Sequence, residues 1–196
     1  MTTIFNTPIV SSLLRFKALI LMRLTGWRVD GKLPDLPKFV LIGAPHTSNW
    51  DFVLFLGVIF SLKANVRFMG KAEAFRWPSG WFFRYCGGIP VDRSKSTGLV
   101  DQMVKACNES EQFILTIAPE GTRHHVVEWK RGFYHIARNA RIPIVIGVVD
   151  GKHKTVRLGQ VFHPTDDIEA DMQTLQGFFA GIVGINPRQK YITLKP

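Results

Sequence analysis

A histidine with an aspartate five positions later stands directly behind an apolar run: Pro45-His46-Thr47-Ser48-Asn49-Trp50-Asp51 follows residues 38–43. An aspartate that accepts a hydrogen bond from one imidazole nitrogen fixes the ring's tautomer and leaves the other nitrogen as a general base. Five steps along one continuous helix turn through about 500°, so the pair cannot share a helix face. With His46 in a loop and Ser48 or Asn49 capping a helix, Asp51 in the first turn reaches the ring. The carboxyl end of a strand is also where α/β sheets bind ligands. The competing reading is a loop histidine beside an unrelated aspartate at a helix start.

Two further blocks end in arginine. Ala118-Pro119-Glu120-Gly121-Thr122-Arg123 follows a second apolar run, and its Pro-then-Gly turn exposes backbone N–H groups. Gly87-Gly88-Ile89-Pro90-Val91-Asp92-Arg93 leads from a glycine pair through a short strand. The planar fork of Arg93 or Arg123 suits a phosphate, although either block alone reads equally as a turn with a surface arginine. Cys86 and Cys107 lack a neighbouring His or Asp to activate them, and Cys107 falls on the apolar face of a predicted helix as a small hydrophobe. Two cysteines exclude a disulfide framework and fit a reducing compartment. His124, His125, Glu128 and His135 match no common zinc spacing, so no metal site is assigned.

The elements that must hold these residues alternate between strand-like and helix-length apolar segments. Strands are expected at 38–43, 65–69, 88–91, 112–118, 142–149 and 155–162. Helices are expected at 49–62, at 96–110 with Ser94 or Ser96 as N-cap, at 132–141 and at 167–182. Asp166, Asp167, Glu169 and Asp171 read as acidic capping of that last helix. The alternation implies an α/β fold, a single-domain layered sandwich around a mostly parallel sheet. Residues 1–30 form an N-terminal membrane-associating helix in this reading, and residues 31–196 the catalytic domain.

The 196 residues carry 25 Lys and Arg against 15 Asp and Glu, a formal charge of +10 that calls for an acidic partner. Fifteen phenylalanines and a mean hydropathy of +0.07 favour lipid over nucleic acid as that partner. No apolar stretch reaches the roughly 20 residues needed to span a bilayer. Residues 4–27 are rich in Ile, Leu, Phe and Val but interrupted by Arg15, Lys17 and Arg23, as in a helix lying in a membrane interface. A terminal helix packed on the domain has the same composition, and the two readings are compatible. Residues 75–85, Phe75-Arg76-Trp77-Pro78-Ser79-Gly80-Trp81-Phe82-Phe83-Arg84-Tyr85, interleave aromatics with arginines as headgroup-level belts do.

Taken in order, the histidine block, the Gly-x-x-Pro-Val-Asp-Arg block, the Glu-Gly-Thr-Arg block and the Pro143-containing apolar strand resemble the glycerophospholipid acyltransferases. Among these the 1-acylglycerol-3-phosphate acyltransferases are the nearest. Lys71-Ala72-Glu73-Ala74-Phe75 resembles the family's Lys-x-Glu-Leu-Phe stretch, and Trp129-Lys130-Arg131-Gly132 its Phe-Lys-x-Gly. Pro45, Pro90 and Ile146 depart from the common pattern and leave the acyl acceptor open.

The resemblance implies that His46 is the catalytic base and Asp51 its orienter. It places Thr47, Ser48, Lys71, Glu73, Arg93, Glu120, Gly121, Thr122, Arg123 and Lys130 at the substrates, Arg93 and Arg123 on the acceptor's phosphate. The implied reaction is direct acyl transfer from a thioester of coenzyme A or acyl carrier protein to a lysophosphatidic acid-like hydroxyl. N–H groups at a helix start or in the Glu120–Thr122 turn would stabilise the oxyanion, and no cofactor or metal is needed. Other lysophospholipids or lyso-forms of amino- or glycolipids are alternative acceptors. A non-catalytic basic protein binding nucleic acid or anionic lipid is the alternative of a different class. Nucleic acid is not the expected partner, because binding alone has no use for an oriented base. The expected location is peripheral, on the cytoplasmic face of a membrane.

Overall fold

The computed structural model describes residues 2–91, 98–124, 126 and 128–187. Its sheet is built from β1 (Arg28–Asp30), β2 (Lys38–Ala44), β3 (Val66–Lys71), β4 (Gly88–Val91), β5 (Phe113–Ile117), β6 (Ile144–Asp150) and β7 (Thr155–Phe162). The strands lie in the order β1-β7-β6-β2-β5-β3-β4. Five run parallel, while β7 pairs antiparallel with β6 and carries β1 with it. Among the described residues six helices surround the sheet: α1 (Pro8–Thr25), α2 (Trp50–Leu62), α3 (Gly80–Tyr85), α4 (Leu99–Asn108), α5 (Gly132–Ala140) and α6 (Ile168–Gly177).

Central strands buried on both faces sort their side chains by parity. Val40, Ile42 and Ala44 of β2 join Met103 and Cys107 of α4, Phe133 and Ile136 of α5, and Leu175 of α6 in one core. Phe39 and Leu41 turn the other way, onto Ala18 of α1 and Ile59 and Phe60 of α2. The layered α/β sandwich expected from the alternation is therefore present. Because α2 lies between the sheet and α1, it can be apolar nearly all round.

Helix α1 is both a packed element and an exposed one. Val10, Leu14, Ala18 and Met22, spaced four apart, face the domain, with Ala18 and Met22 buried. Ile9, Leu13, Phe16, Ile20 and Leu24 form the opposite stripe and remain exposed, Ile9 at 84% and Leu24 at 80%. Residues 28–30, which a boundary at residue 30 assigns to the N-terminal segment, form β1 in the sheet.

Several details differ from the sequence reading. The last helix ends at Gly177, five residues before 182, because the chain then turns to bring Val183 onto Gly151. Helix α4 starts at Leu99, and its expected caps Ser94 and Ser96 lie outside the described residues. Of the acidic group, Asp167 caps α6 by accepting the Ala170 N–H, and Glu169 and Asp171 stand in its first turn as expected, whereas Asp166 precedes the cap. Asp166 and Glu169 pair with Arg138 and Arg131. Asp171 is buried, and its carboxylate accepts from the Thr165 backbone N–H and lies 2.8 Å from the Tyr134 hydroxyl. That network ties α6 to α5 through the core.

Residues 75–85 divide in two. Phe75 is buried and Arg84 Nη1 donates to its carbonyl, while Trp77, Trp81 and Phe82 are exposed, Trp77 at 92%. Tyr85 reaches back to the N-terminal segment, its hydroxyl 2.9 Å from Thr7 Oγ1 and its carbonyl accepting the Ile4 N–H. Gly87 then turns into β4 with φ +88, where a Cβ would meet the Val66 carbonyl oxygen at 2.4 Å. Tyr85 thus ties α3, which carries the exposed Trp81 and Phe82, to the residues that lead into α1.

Candidate active site

Strands β2 and β5 are adjacent and parallel, with Ile42 opposite Ile117. Their carboxyl ends release two loops side by side, residues 45–49 and 118–123. Helix α2 begins at Trp50, so Asp51 falls in its first turn and His46 in the loop before it. Asp51 Oδ2 lies 2.9 Å from His46 Nδ1. The same oxygen accepts the backbone N–H groups of Thr47 at 2.6 Å and Ser48 at 2.7 Å. Ser48 Oγ accepts the Trp50 N–H and supplies the helix start with its side-chain cap, whereas Asn49 makes none. With Nδ1 engaged, Nε2 is the ring nitrogen left to take a proton.

His46 and Asp51 border a cavity of about 300 Å³ between α2 and the sheet. Its walls are apolar, drawn from Leu54, Phe55 and Val58 of α2, Phe68 and Met69 of β3, and Leu158 of β7. Arg123 lines it as well, and among the described residues that the sequence assigned to binding it is the one that joins His46 and Asp51 there. Gly121 has φ +66, and a Cβ on it would lie 2.8 Å from the Lys130 Cδ and 3.1 Å from its Nζ. The Lys130 side chain therefore runs across the turn that carries Arg123, while its backbone N–H donates to Pro119.

Glu120 is placed differently from its neighbours. It is 6% exposed, and its Oε2 accepts the backbone N–H of His46 at 2.7 Å. Burial pushes its carboxyl up to about 7; the His46 backbone hydrogen bond and ring pull it down, and the Asp51 charge adds to the rise. Thr47 is also buried, its Oγ1 accepting the Asn186 N–H. Lys71 and Glu73 are exposed and 3.9 Å from each other at the end of β3, away from the cavity wall. Arg93 lies outside the described residues.

The backbone donors expected for an oxyanion are mostly occupied. Glu120 takes the His46 N–H, and Asp51 takes those of Thr47 and Ser48. The N–H groups of Asp51 and Phe52 bond to the carbonyls of Ser48 and Asn49, and that of Gly121 to Ala118. Within the Glu120–Thr122 turn, the Gly121 N–H is thus already engaged. Cys86 and Cys107 are buried, and burial raises both thiols above their ordinary range, which disfavours a thiolate nucleophile. Among the described residues no three His, Cys, Asp or Glu side chains group as metal ligands.

Sequence reasoning did not anticipate the segment 183–186 behind the histidine loop. A Cβ on Gly184 would meet Thr47 Oγ1 at 2.5 Å, and Gly151 donates to the Val183 carbonyl. No residue type in that segment signals such a contact. A second histidine–aspartate pair, His153 Nδ1 to Asp150 Oδ2 at 2.8 Å, braces the turn between β6 and β7 and does not line the cavity. The cavity wall from α2 was invisible for another reason: Phe55 and Val58 read as ordinary core residues until a space is seen beside them.

Residues 28–148 match the family model described as Acyltransferase. The chain is 28% identical over 130 residues to 1-acyl-sn-glycerol-3-phosphate acyltransferase of Streptococcus pneumoniae, covering 61% of this chain and 47% of the relative. It is 35% identical over 129 residues to the protein of the same name from Saccharomyces cerevisiae, covering 62% and 42%. With that of Haemophilus influenzae it shares 25% over 148 residues, covering 70% and 60%. The chain thus spans about half the length of the relatives it matches. In fold it is similar to the crystal structure of the 1-acyl-sn-glycerophosphate (LPA) acyltransferase PlsC from Thermotoga maritima. The TM-score is 0.61 at 16% identity, over 86% of this chain and 76% of that one.

Proposed function

The chain belongs to the acyltransferase family, and from that membership we propose that it moves a fatty acyl group from an acyl thioester to the free hydroxyl of a lysophosphatidic acid-like acceptor. The observation that carries this reading is the His46 Nδ1–Asp51 Oδ2 contact of 2.9 Å at the edge of an apolar cavity that Arg123 also lines. An oriented base, a space for hydrocarbon and a guanidinium for phosphate are the three things the reaction requires. The relatives, named 1-acyl-sn-glycerol-3-phosphate acyltransferases, support the choice of acceptor.

In this mechanism Nε2 of His46 takes the proton of the acceptor hydroxyl as its oxygen attacks the thioester carbonyl. The new C–O bond gives a tetrahedral oxyanion, met by backbone N–H groups of the Glu120–Thr122 turn. The C–S bond then breaks, and the imidazolium returns its proton to the departing thiolate of coenzyme A or acyl carrier protein. Arg123, with Lys130 and Arg93, holds the acceptor's phosphate. The cavity between α2 and β3 takes the acyl chain.

The substrate is a lipid, and the enzyme meets it as a peripheral protein at an anionic, cytoplasmic membrane face. Among the described residues no helix is long and apolar enough to cross a membrane. The exposed stripe of α1 and the exposed Trp77, Trp81 and Phe82 supply the apolar contact, and the +10 charge supplies attraction. An assay of the purified chain against a panel of lysolipids, with acyl-coenzyme A and acyl carrier protein donors in separate arms, tests the reading. Lysophosphatidic acid is expected to be preferred. Equal rates with uncharged lysolipids would remove Arg123 from the phosphate.

A further inference from the structure

Three consecutive backbone N–H groups precede α2, and all three end on carboxylates. Those of Thr47 and Ser48 go to Asp51, and that of His46 goes to Glu120 at 2.7 Å. The two acids come from different elements, the first turn of α2 and the loop after β5, and both are buried. Burial of a carboxyl is costly unless its oxygens are used, and the oxygen of Glu120 is used on the histidine loop. A carboxylate is also the wrong charge for a phosphate, which Arg123, three residues along, can receive instead. The positive φ of Gly121 and its N–H bond to Ala118 shape the tight turn that follows Glu120.

We propose that Glu120 is a positioning residue for the base: its carboxyl fixes the His46 backbone and, with Asp51, provides the negative charge against which the imidazolium forms. The proposal rests on the acyl-transfer reading above, and it takes Glu120 away from substrate contact. The titratable groups facing Glu120 are the His46 ring and the Asp51 carboxylate, while the Lys130 side chain crosses the turn at Gly121. Above the Glu120 transition near pH 7, two carboxylates rather than one face the new charge when His46 accepts the hydroxyl proton. Asp51 sets the ring's tautomer, and Glu120 sets where the ring is hung.

The test compares Glu120→Gln and Glu120→Ala with the unaltered chain at pH 8, where the Glu120 carboxyl is ionised, using lysophosphatidic acid and acyl-coenzyme A in mixed micelles. The Gln amide oxygen can still accept the His46 N–H but carries no charge, so kcat should fall roughly tenfold while both KM values stay within about twofold. Ala loses the acceptor altogether, and kcat should fall about 10²-fold, the cost of misplacing a reacting group. A rise in acceptor KM with kcat unchanged would make Glu120 a substrate contact and overturn the proposal. NMR of the His46 backbone amide reads the same link without substrate. At pH 8 its proton should move upfield in Glu120→Gln and exchange faster with solvent in Glu120→Ala, and an unmoved resonance in Gln would also overturn the proposal. If the unaltered chain transfers no acyl group to any lysolipid, the functional reading fails while the amide shift still decides the role of Glu120.

Discussion

Asp51 Oδ2 lies 2.9 Å from His46 Nδ1 and accepts from the backbone of the two residues after that histidine, so one oxygen joins the orientation of the imidazole to the conformation of its loop. The ring cannot rotate freely while the loop stays in place, nor can the loop relax without releasing the ring. This coupling orients a histidine that lies outside any regular element.

Replacing His46 by Ala should therefore cost about 10²–10⁴ in turnover, the usual worth of a positioned general base, with the fold intact. Asp51→Asn should cost a comparable factor. An amide presents an N–H as readily as an oxygen, which favours the wrong tautomer and deprives Thr47 and Ser48 of a charged acceptor. Turnover measured beside circular dichroism checks both, and near-normal rates for His46→Ala would discard the mechanism.

Arg123→Lys keeps the charge and loses the bidentate fork. The KM for a phosphorylated acceptor should rise roughly tenfold, the worth of one charge-assisted hydrogen bond, while the donor KM stays put. A change confined to the donor would assign the arginine to the thioester side. The same comparison on Arg93→Ala asks whether the two arginines meet one phosphate.

Much of this was legible beforehand because strand and helix periods differ. The central strands at 38–43 and 142–149 and the helix from residue 49 stand within two residues of their expected ends at each terminus. The His46–Asp51 pairing followed from where the strand stops. What stayed hidden depends on contacts distant in sequence. Arg28–Asp30 is too short to signal a strand, and becomes one by pairing with β7. Glu120 sits in a motif that suggests exposure, yet its burial against His46 arises from the register of β2 on β5. Thr47 is covered by a segment nearly 140 residues later in the chain.

Gly43 lines the cavity, and a Cβ placed on it would meet nothing within 4 Å. Gly43→Val adds a β-branched residue where the strand can accept it and fills space that the hydrocarbon would use. Turnover with long-chain acyl thioesters should fall more than with short-chain ones. An equal loss across chain lengths would mean that the acyl group lies elsewhere.

Glu120 also makes stability depend on pH. Its folded value of about 7 lies above the ordinary 4.5, so between those limits the native state holds a proton that the unfolded chain has released. Stability then declines as pH rises through that window, by about 3 kcal/mol at most for a shift of this size. Glu120→Gln removes the titration. Its melting temperature should exceed that of the unaltered chain at pH 8 and converge with it near pH 4.5, and a constant difference across the range would contradict the assignment.

Membrane attachment can be tested without disturbing the core, because the two faces of α1 have different duties. Removing residues 1–27 would strip Ile4, Phe5, Ala18 and Met22 from the core and confuse binding with folding. Replacing Leu13, Phe16 and Leu24 by Ser alters only the exposed stripe. Each loses an apolar contact with lipid of about 1.5–3 kcal/mol if fully buried there. Vesicle sedimentation should show binding to anionic liposomes reduced by well over tenfold, with the melting temperature within a few degrees of the unaltered chain. Added salt should weaken but not abolish binding by the unaltered chain, since basic residues near the surface contribute about 1 kcal/mol each and only that part is screened. Activity on a short-chain, water-soluble acceptor should survive the triple substitution, because none of the three residues lines the cavity beside His46. Equal losses on vesicles and on the soluble acceptor would make the stripe a structural surface and end the interfacial reading.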